Sequence, residues 1–374
     1  MAVYLSLLAG AVILGIPMCR SKAGKIMYSV LMGAALYIVA AIRRNVGYDY
    51  TSIYGVIYYR TITTPVDVLM NAREEKGYLM INKLLSDYFV DYQAIFIVCA
   101  VFYMIAVVYL IYRHCKIPWI GFALFMTFGV YFNSLNFQRQ MIAGFIVMYA
   151  FKYIEKNQFF RYVLIVVFAS CFHLSALIMI PFYFILRIKM TPVTLGVYVG
   201  LTVIMLIFSW NIIDFITGLG VTYRGYISTS IHMTTGVNPT YVIFFAIFFA
   251  AAFFVRKRLM AADRFNNVLL NCMFFTLFFE VIGVKHSILS RPGVYFVIPA
   301  AIALMPKVII TYLEICKEKY KSDRNKRRSL SAVTVTAFVV LNLTMFGLML
   351  ANNYNGVMPY RTMFDNFEAE AAEQ

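Results

Sequence analysis

Charged residues are scarce in this chain of 374 residues: they make up 13% of it, whereas 62% of the residues are hydrophobic. A soluble domain has about 25% charged residues, and water could not be kept from so much apolar surface, so a soluble enzyme is excluded. Disorder is excluded as well, because 17% of the residues are aromatic. A membrane-spanning helix needs about 20 residues, so the length allows about ten or eleven crossings.

Familiar catalytic and metal-binding patterns are also missing. The sequence has no P-loop, no dinucleotide-binding glycine pattern, no GxSxG and no HExxH motif. The cysteines show no CxxC spacing, and the histidines are too scattered to suggest a metal site. We therefore expect no disulfide framework, no metal site and no cofactor; whether a divalent ion assists stays open. The first apolar stretch lacks a basic start, which argues against a cleavable signal peptide.

The net charge of +16 is better explained by membrane topology than by binding to nucleic acid. Nearly all of it lies in short basic windows, and such loops remain in the cytoplasm. These windows are 20–25, 113–116, 152–161, 187–189, 256–264 and 317–328. They predict one integral-membrane domain over residues 1–374, with outer loops 43–92 and 212–239, a basic cytoplasmic loop 313–329 and an outer tail 352–374.

The apolar stretch 162–187 begins and ends at a basic loop, so a single crossing would place the later basic loops outside. Two passes place the later basic loops in the cytoplasm again. Each pass then has only about 13 residues, or about 20 Å of helix. We expect two short, broken or re-entrant helices with a turn near residues 172–175. The alternative is one long tilted helix with His173 as a structural residue.

A second hairpin of the same shape is expected over residues 118–153, with arms 118–132 and 140–153 and a polar apex at 133–140. Polar, irregular backbone at membrane depth is tolerated where it lines a wet cavity or is buried in protein. The chain therefore reads as an all-α polytopic membrane protein with about 10–12 transmembrane or re-entrant helices. Both apices would face one outward-facing cavity, which would contain Arg139 and His173.

Arg139 and His173 are the strongest candidates for functional residues. An arginine below the membrane surface needs a partner or an aqueous cavity, and its planar guanidinium suits a phosphate or diphosphate. Amides surround it, including Asn136 and Gln138, although tying helices together remains its alternative role. His173 could act as a general base at neutral pH.

Two polar clusters lie in outer loop 43–92. The first, residues 43–50, combines Arg43, Arg44, a glycine and Asp49, which fits a site, although the arginines could simply snorkel to the interface. The second, residues 73–78, could be a solvated face. Further outer cations are Arg224 and Arg291, and tyrosines lie beside them: Tyr223, Tyr226 and Tyr295.

Three landmarks in order resemble the EpsG family of bacterial exopolysaccharide proteins, which are Wzy-like repeat-unit polymerases. They are RRNVGYDY at 43–50, NFQRQ at 136–140 and FHLSA at 172–176. The resemblance implies an integral-membrane glycosyltransferase with a GT-C-like helical arrangement. It would transfer a growing glycan from undecaprenyl diphosphate to the hydroxyl of a lipid-linked repeat unit, on the outer face of the bacterial cytoplasmic membrane.

On this hypothesis the leaving diphosphate needs cations and the attacking hydroxyl needs a base. We assign the diphosphate to Arg139, with Arg43 or Arg44 and also Arg291. His173 is the first candidate base and Asp49 the second. Sugar or acceptor contacts are assigned to Asn136, Gln138, Tyr223, Arg224 and Tyr226.

Other classes of protein stay open. A lipid-linked oligosaccharide flippase or another transporter would also have broken helices and cavity arginines, but we find no half-to-half symmetry. A membrane O-acetyltransferase should expose polar catalytic residues to the cytoplasm, where the loops show only basic topology signals. An O-antigen ligase differs in acceptor alone. Expected partners are membrane lipid, a flippase and a chain-length regulator, with no nucleic acid; the sequence does not separate O-antigen, capsule and exopolysaccharide.

Overall fold

The computed structural model describes residues 1–72, 74–211 and 236–365. The regular structure within these ranges is helical, apart from an isolated bridge between Arg43 and Thr362. In chain order the α-helices of these ranges are α1 Ala2–Met18, α2 Lys22–Ile42, α3 Val56–Thr63, α4 Val66–Met70, α5 Lys76–Ser86, α6 Gln93–His114, α7 Pro118–Thr127, α8 Val130–Asn136, α9 Gln138–Glu155, α10 Phe159–Ser170, α11 Met179–Ile185, α12 Pro192–Ile207, α13 Pro239–Phe254, α14 Arg256–Ala262, α15 Phe265–Ile282, α16 Val294–Pro299, α17 Met305–Lys319 and α18 Arg324–Ala351.

Short 3₁₀ and π segments connect several of these helices. The 3₁₀ segments are Leu174–Ile178, Ser287–Gly293 and Tyr354–Gly356, and the π segments are Tyr50–Gly55 and Ala300–Leu304. The last π segment joins α16 to α17, so that Ser287–Lys319 forms one long apolar span.

The chain is a multi-pass membrane protein. Five helical spans of the described residues are long and apolar enough to cross a membrane, or seven if each of two bent helix pairs counts as one span. Four more apolar helices are shorter, at 10–17 residues. This confirms the all-α polytopic fold. The GT-C-like arrangement and the outward-facing cavity stay predictions.

The described residues fall into two compact units, and α9 and α18 contribute residues to both. The first unit comprises 1–142, 171–173 and the chain from 346 onward. In it α2 packs along α6, and α1 packs on α2 and α7. The second unit comprises 143–170 and 174–345, and its core is rich in phenylalanine. For example, the Phe182 ring lies 4.8 Å from that of Phe275 and 4.7 Å from that of Phe296.

The hairpin expected over residues 162–187 is confirmed. Helix α10 ends at Ser170, and α11 runs back along it, because the Tyr162 hydroxyl donates to the Met179 carbonyl at 2.7 Å. Phe159, at the start of α10, has its ring 5.1 Å from that of Phe184 near the end of α11. Helix α10 has 12 residues, so it is about 18 Å long and is shorter than a membrane span.

The irregular backbone expected at residues 133–140 is confined to Phe137, and the rest of that range is helical. Asn133 and Asn136 belong to α8, Gln138 to Gln140 belong to α9, and only Phe137 separates the two helices. The asparagine side chains find partners on other segments, so they do not interrupt the helix backbone. The chain also breaks earlier, at Gly129, whose φ of +72° is readily adopted by glycine; the bend between α7 and α8 there is 57°.

One loop differs from expectation, and the tail has contacts that the sequence did not predict. The basic loop 313–329 is mostly helical, since α17 ends at Lys319 and α18 begins at Arg324. Residues 352–365 of the outer tail are held against residues 42–48: the Met363 amide donates to the Ile42 carbonyl at 2.8 Å and the Gly47 amide to the Gly356 carbonyl at 2.9 Å. Most of loop 212–239 and the end of the tail lie outside the described residues.

Candidate active site

Three side chains that are far apart in sequence meet in the first unit. The Glu75 carboxylate accepts from Arg139 Nη1 at 2.7 Å through Oε2, and its Oε1 lies 3.0 Å from His173 Nδ1. The three side chains are 14%, 20% and 15% exposed. This cluster of Glu75, Arg139 and His173, called the carboxylate cluster below, is therefore largely buried but retains some open surface.

The backbone around each residue explains why the three side chains meet. Glu75 is the residue before α5, and Arg139 lies in the first turn of α9, just after the break at Phe137. His173 lies in the turn that follows α10. That turn touches α5 because the Gly77 amide donates to the Cys171 carbonyl at 2.8 Å, and a Cβ on Gly77 would lie only 2.7 Å from the same oxygen. Glycine at 77 thus permits the approach that brings His173 to Glu75.

The electrostatics of the cluster fix the state of Glu75. Burial opposes its ionisation, but the hydrogen bond with His173 and the positive charge of Arg139 outweigh burial and lower the pKa of Glu75 to about 2. The neighbouring Glu74 forms an ion pair with Arg60 at 2.8 Å. Glu75 is therefore a carboxylate at neutral pH, suited to orienting a histidine and poorly suited to taking up a proton.

Two tyrosine rings lie beside the guanidinium of Arg139. Its Cζ lies 6.0 Å from the ring centroid of Tyr54 and 5.7 Å from that of Tyr78, at the outer limit of a cation–π contact. The negative charge of Asp49 also acts on Arg139. Both tyrosines are buried, so the rings shield one part of the cation from water.

Comparison with known proteins places the chain in a family. The family model of the EpsG family matches residues 26–362, which is most of the chain. The chain belongs to the EpsG family. No curated protein and no solved structure matches it.

EpsG membership indicates a glycosyltransferase-like polymerase of polysaccharide that uses lipid-linked saccharides in the membrane. All three landmark motifs lie inside the matched range. In this EpsG protein the second and third motifs, at 136–140 and 172–176, supply Arg139 and His173 to the carboxylate cluster. Glu75 comes from outside the three motifs.

Arg43 of the first motif is enclosed. Its side chain is 0% exposed, and its guanidinium donates to the carbonyls of Ala40, Leu135 (3.1 Å) and Val46 (3.4 Å). The Phe96 ring centroid lies 4.9 Å from its Cζ. This environment favours a structural role, because a diphosphate could reach the guanidinium only if the surrounding chain moved.

The next arginine, Arg44, faces a carboxylate. Its Nη1 lies 2.8 Å from Asp91 Oδ1, and the Tyr92 ring centroid is 4.7 Å from its Cζ. The Asp91 side chain is 56% exposed. An incoming diphosphate would have to compete with Asp91, so the assignment of Arg44 as a diphosphate ligand stays a prediction.

The amides beside Arg139 are buried. Asn136 accepts from the Asp49 amide at 2.9 Å and lies 3.5 Å from Asn355, which itself donates to Asn133 at 2.7 Å. Gln138 is 0% exposed, and among the described residues neither polar atom of its amide has a hydrogen-bond partner. A sugar cannot reach either amide in this conformation, and their assignment as sugar contacts stays a prediction.

The remaining sequence candidates are not part of the carboxylate cluster. Arg291 belongs to the second unit, on the 3₁₀ segment Ser287–Gly293, where it is half-buried. In the same unit the hydroxyls of Ser175 and Tyr295 are 2.8 Å apart. Tyr223, Arg224 and Tyr226 lie outside the described residues. Within the described part of the chain, no group of three His, Cys, Asp or Glu side chains could hold a metal ion.

Glu75 is the residue that the sequence alone did not single out, since residues 73–78 could be read as a solvated face. Its partners are 64 and 98 positions away, and no local spacing could have linked them. The available signal was two adjacent carboxylates and a glycine at the start of α5.

Proposed function

We propose that this protein polymerises lipid-linked oligosaccharide repeat units. It would transfer the growing glycan from undecaprenyl diphosphate to a hydroxyl of a lipid-linked acceptor unit, on the outer face of the bacterial cytoplasmic membrane. The observation that carries the proposal is the carboxylate cluster, where one carboxylate holds a histidine and an arginine together. Such a grouping supplies both a base and a cation to one reaction.

His173 is the proposed base. With its Nδ1–H donating to Glu75, the imidazole presents the lone pair on Nε2 to the acceptor hydroxyl. The hydroxyl oxygen attacks the anomeric carbon of the donor while its proton passes to Nε2. A new C–O bond forms, and the bond from the anomeric carbon to the diphosphate oxygen breaks with its electron pair remaining on the diphosphate. Asp49 is the second candidate for the proton acceptor.

Arg139 is the proposed electrostatic stabiliser of the leaving group. Negative charge grows on the diphosphate in the transition state, and fixed cations stabilise it most effectively when water is excluded. A guanidinium has five N–H donors, so donation to Glu75 leaves others for phosphate oxygens. Because Glu75 offsets part of the charge, a second cation is needed, and we propose Arg44 of the same unit in preference to the enclosed Arg43.

The test is reconstitution of the purified protein in liposomes with lipid-linked repeat units and no flippase or chain-length regulator. A ladder of glycans of increasing length supports the polymerase. Movement of repeat units across the bilayer without any ladder would instead establish a transporter. If neither a ladder nor transport is seen, the polymerase proposal is not supported. Cysteines placed singly at 188–190 and labelled from outside intact cells test the orientation; labelling there would contradict an outward-facing site.

The role of His173 is tested in the same liposomes. His173→Gln keeps a hydrogen-bonding side chain of similar size but cannot take up the proton. We expect a fall in the turnover rate with little change in the affinity for lipid-linked donor. An unchanged rate would remove His173 as the base and leave Asp49 as the candidate.

A further inference from the structure

The second unit contains a strongly basic cavity that the proposed reaction does not use. It has a volume of about 730 Å³ and is lined by five cationic side chains: Arg187, Lys189, Arg256, Lys257 and Arg264. Apolar side chains complete the wall, including Met190, Pro192 and Met260. We call it the basic cavity. The cations come from the loop after α11, from α14 and from the start of α15, so three segments converge on one space.

None of the described residues that line the basic cavity is a carboxylate. Among the described residues, none of the five cations forms an ion pair, and the contacts seen are to neutral groups. Arg187 donates to the Asn157 amide oxygen at 2.6 Å, and Arg256 donates to the Phe253 carbonyl at 2.8 Å. Nearby Arg258, by contrast, pairs with Glu318 at 2.6 Å. Five like charges around one cavity repel each other unless an anion offsets them.

The loop that carries Arg187 and Lys189 is fixed in place by two asparagines of α15. The Asn267 side chain donates to the Ile188 carbonyl at 3.0 Å and accepts from the Met190 amide at 2.9 Å. Asn271 donates to the same Ile188 carbonyl at 3.0 Å. The two cations are therefore held at the cavity by a clamped backbone, which lowers the cost of ordering them around a ligand.

Apolar surface leads away from the basic cavity along α12. Pro192, the first residue of that helix, lines the cavity, and Val193 and Val197 beyond it are 77% and 56% exposed. Leu201 and Ile204 continue the same face and are 50% and 52% exposed. A phosphate at the cavity could thus carry an acyl chain that lies along α12, which favours a lipid over a free phosphate ion.

We propose that the basic cavity binds the phosphate headgroup of an anionic phospholipid. Arginine forks match phosphate oxygens in geometry and charge, and basic pockets between membrane helices hold anionic headgroups in this way. The apolar wall contacts the glycerol region, and the exposed face of α12 contacts the chains. The site belongs to the second unit and does not depend on the polymerase proposal.

The test measures lipid binding to the purified full-length protein, with phosphatidylglycerol and phosphatidylcholine as the two probes. The cavity variant Arg187→Gln/Arg256→Gln/Arg264→Gln removes three cations from the wall. The matched control Arg324→Gln/Arg327→Gln/Arg328→Gln removes three cations from α18, none of which lines the cavity. We expect the native protein to prefer phosphatidylglycerol at least tenfold, the cavity variant to lose that preference, and the control to keep it within twofold.

Three results would overturn the proposal. One is equal loss of preference in both triple variants, which would show that net charge alone matters. Another is no preference in the native protein. The third is displacement of phosphatidylglycerol by inorganic phosphate at equal phosphate concentration, which would assign the cavity to a free anion. If the cavity variant does not fold, the single variant Arg264→Gln, at an exposed position, replaces it with the same two probes and an expected loss of at least threefold.

Discussion

The Arg43 environment and the carboxylate cluster place the same side chain in two different settings within one unit. The guanidinium of Arg43 donates to three backbone carbonyls, and its side chain is 0% exposed. In the cluster, Arg139 shares a carboxylate with a histidine and remains 20% exposed. The contacts of Arg43 favour a structural role, whereas those of Arg139 suit the catalytic role that we propose for it.

The largest expected effect is on catalysis. Arg139→Ala should slow polymerisation at least about 100-fold, because loss of one preorganised donor to a developing oxyanion costs that much. The amount of folded protein in the membrane should stay near that of the native chain. The measurement is the glycan ladder from reconstituted protein, with Arg258→Gln, a surface cation paired with Glu318, as the matched control. A normal ladder from Arg139→Ala would show that the reaction does not need Arg139, which would then not differ from Arg43 in role.

The converse variant tests the structural role of Arg43. Arg43→Ala should lower the free energy of unfolding by about 2–4 kcal/mol, because it opens a cavity and leaves buried carbonyls without donors. Thermal unfolding in detergent measures the loss, and the turnover of whatever folds should stay close to native. A stable but inactive Arg43→Ala protein would show that Arg43 belongs to the chemistry after all.

A smaller effect is expected at Gly77, which brings His173 to the cluster without joining it. Gly77→Ala should displace the turn at residues 171–173, because the new Cβ would press on the Cys171 carbonyl. We expect about a tenfold fall in turnover with unchanged donor affinity. The control is Gly200→Ala in α12, where a Cβ meets nothing within 4 Å. Equal turnover in both variants would show that the close approach at Gly77 is not needed.

The smallest effect concerns pH. The pKa of Glu75 falls from its ordinary 4.5 to about 2 in the folded protein, so its ionised form stabilises the fold above pH 4.5. That contribution disappears as the pH falls through 2. The unfolding temperatures of the native protein and Glu75→Gln should differ most above about pH 5 and converge in acid. A constant difference across that range would contradict the ion pair.

How much of the fold and of the candidate site could be predicted depends on the sequence separation of the interacting residues. The helices follow from local apolar runs, and the hairpin turn at 171–173 follows from the charge of the flanking loops, so both were accessible to sequence reasoning. The contacts of Arg43 and Arg139 were not, because the carbonyl of Leu135 and the carboxylate of Glu75 come from distant parts of the chain. The helical state of residues 133–136 was missed for the same reason: Asn355 satisfies Asn133 from over 200 positions away.

The central claim is that Glu75 and His173 act as one unit in proton removal. Residues that act as a unit give non-additive losses when both are changed. The most direct measurement is therefore the turnover of Glu75→Gln, His173→Gln and the double variant in reconstituted liposomes. We predict that the double variant is as slow as His173→Gln, within about threefold. A double variant slowed by the product of the two single losses would contradict the claim, because the two side chains would then contribute independently.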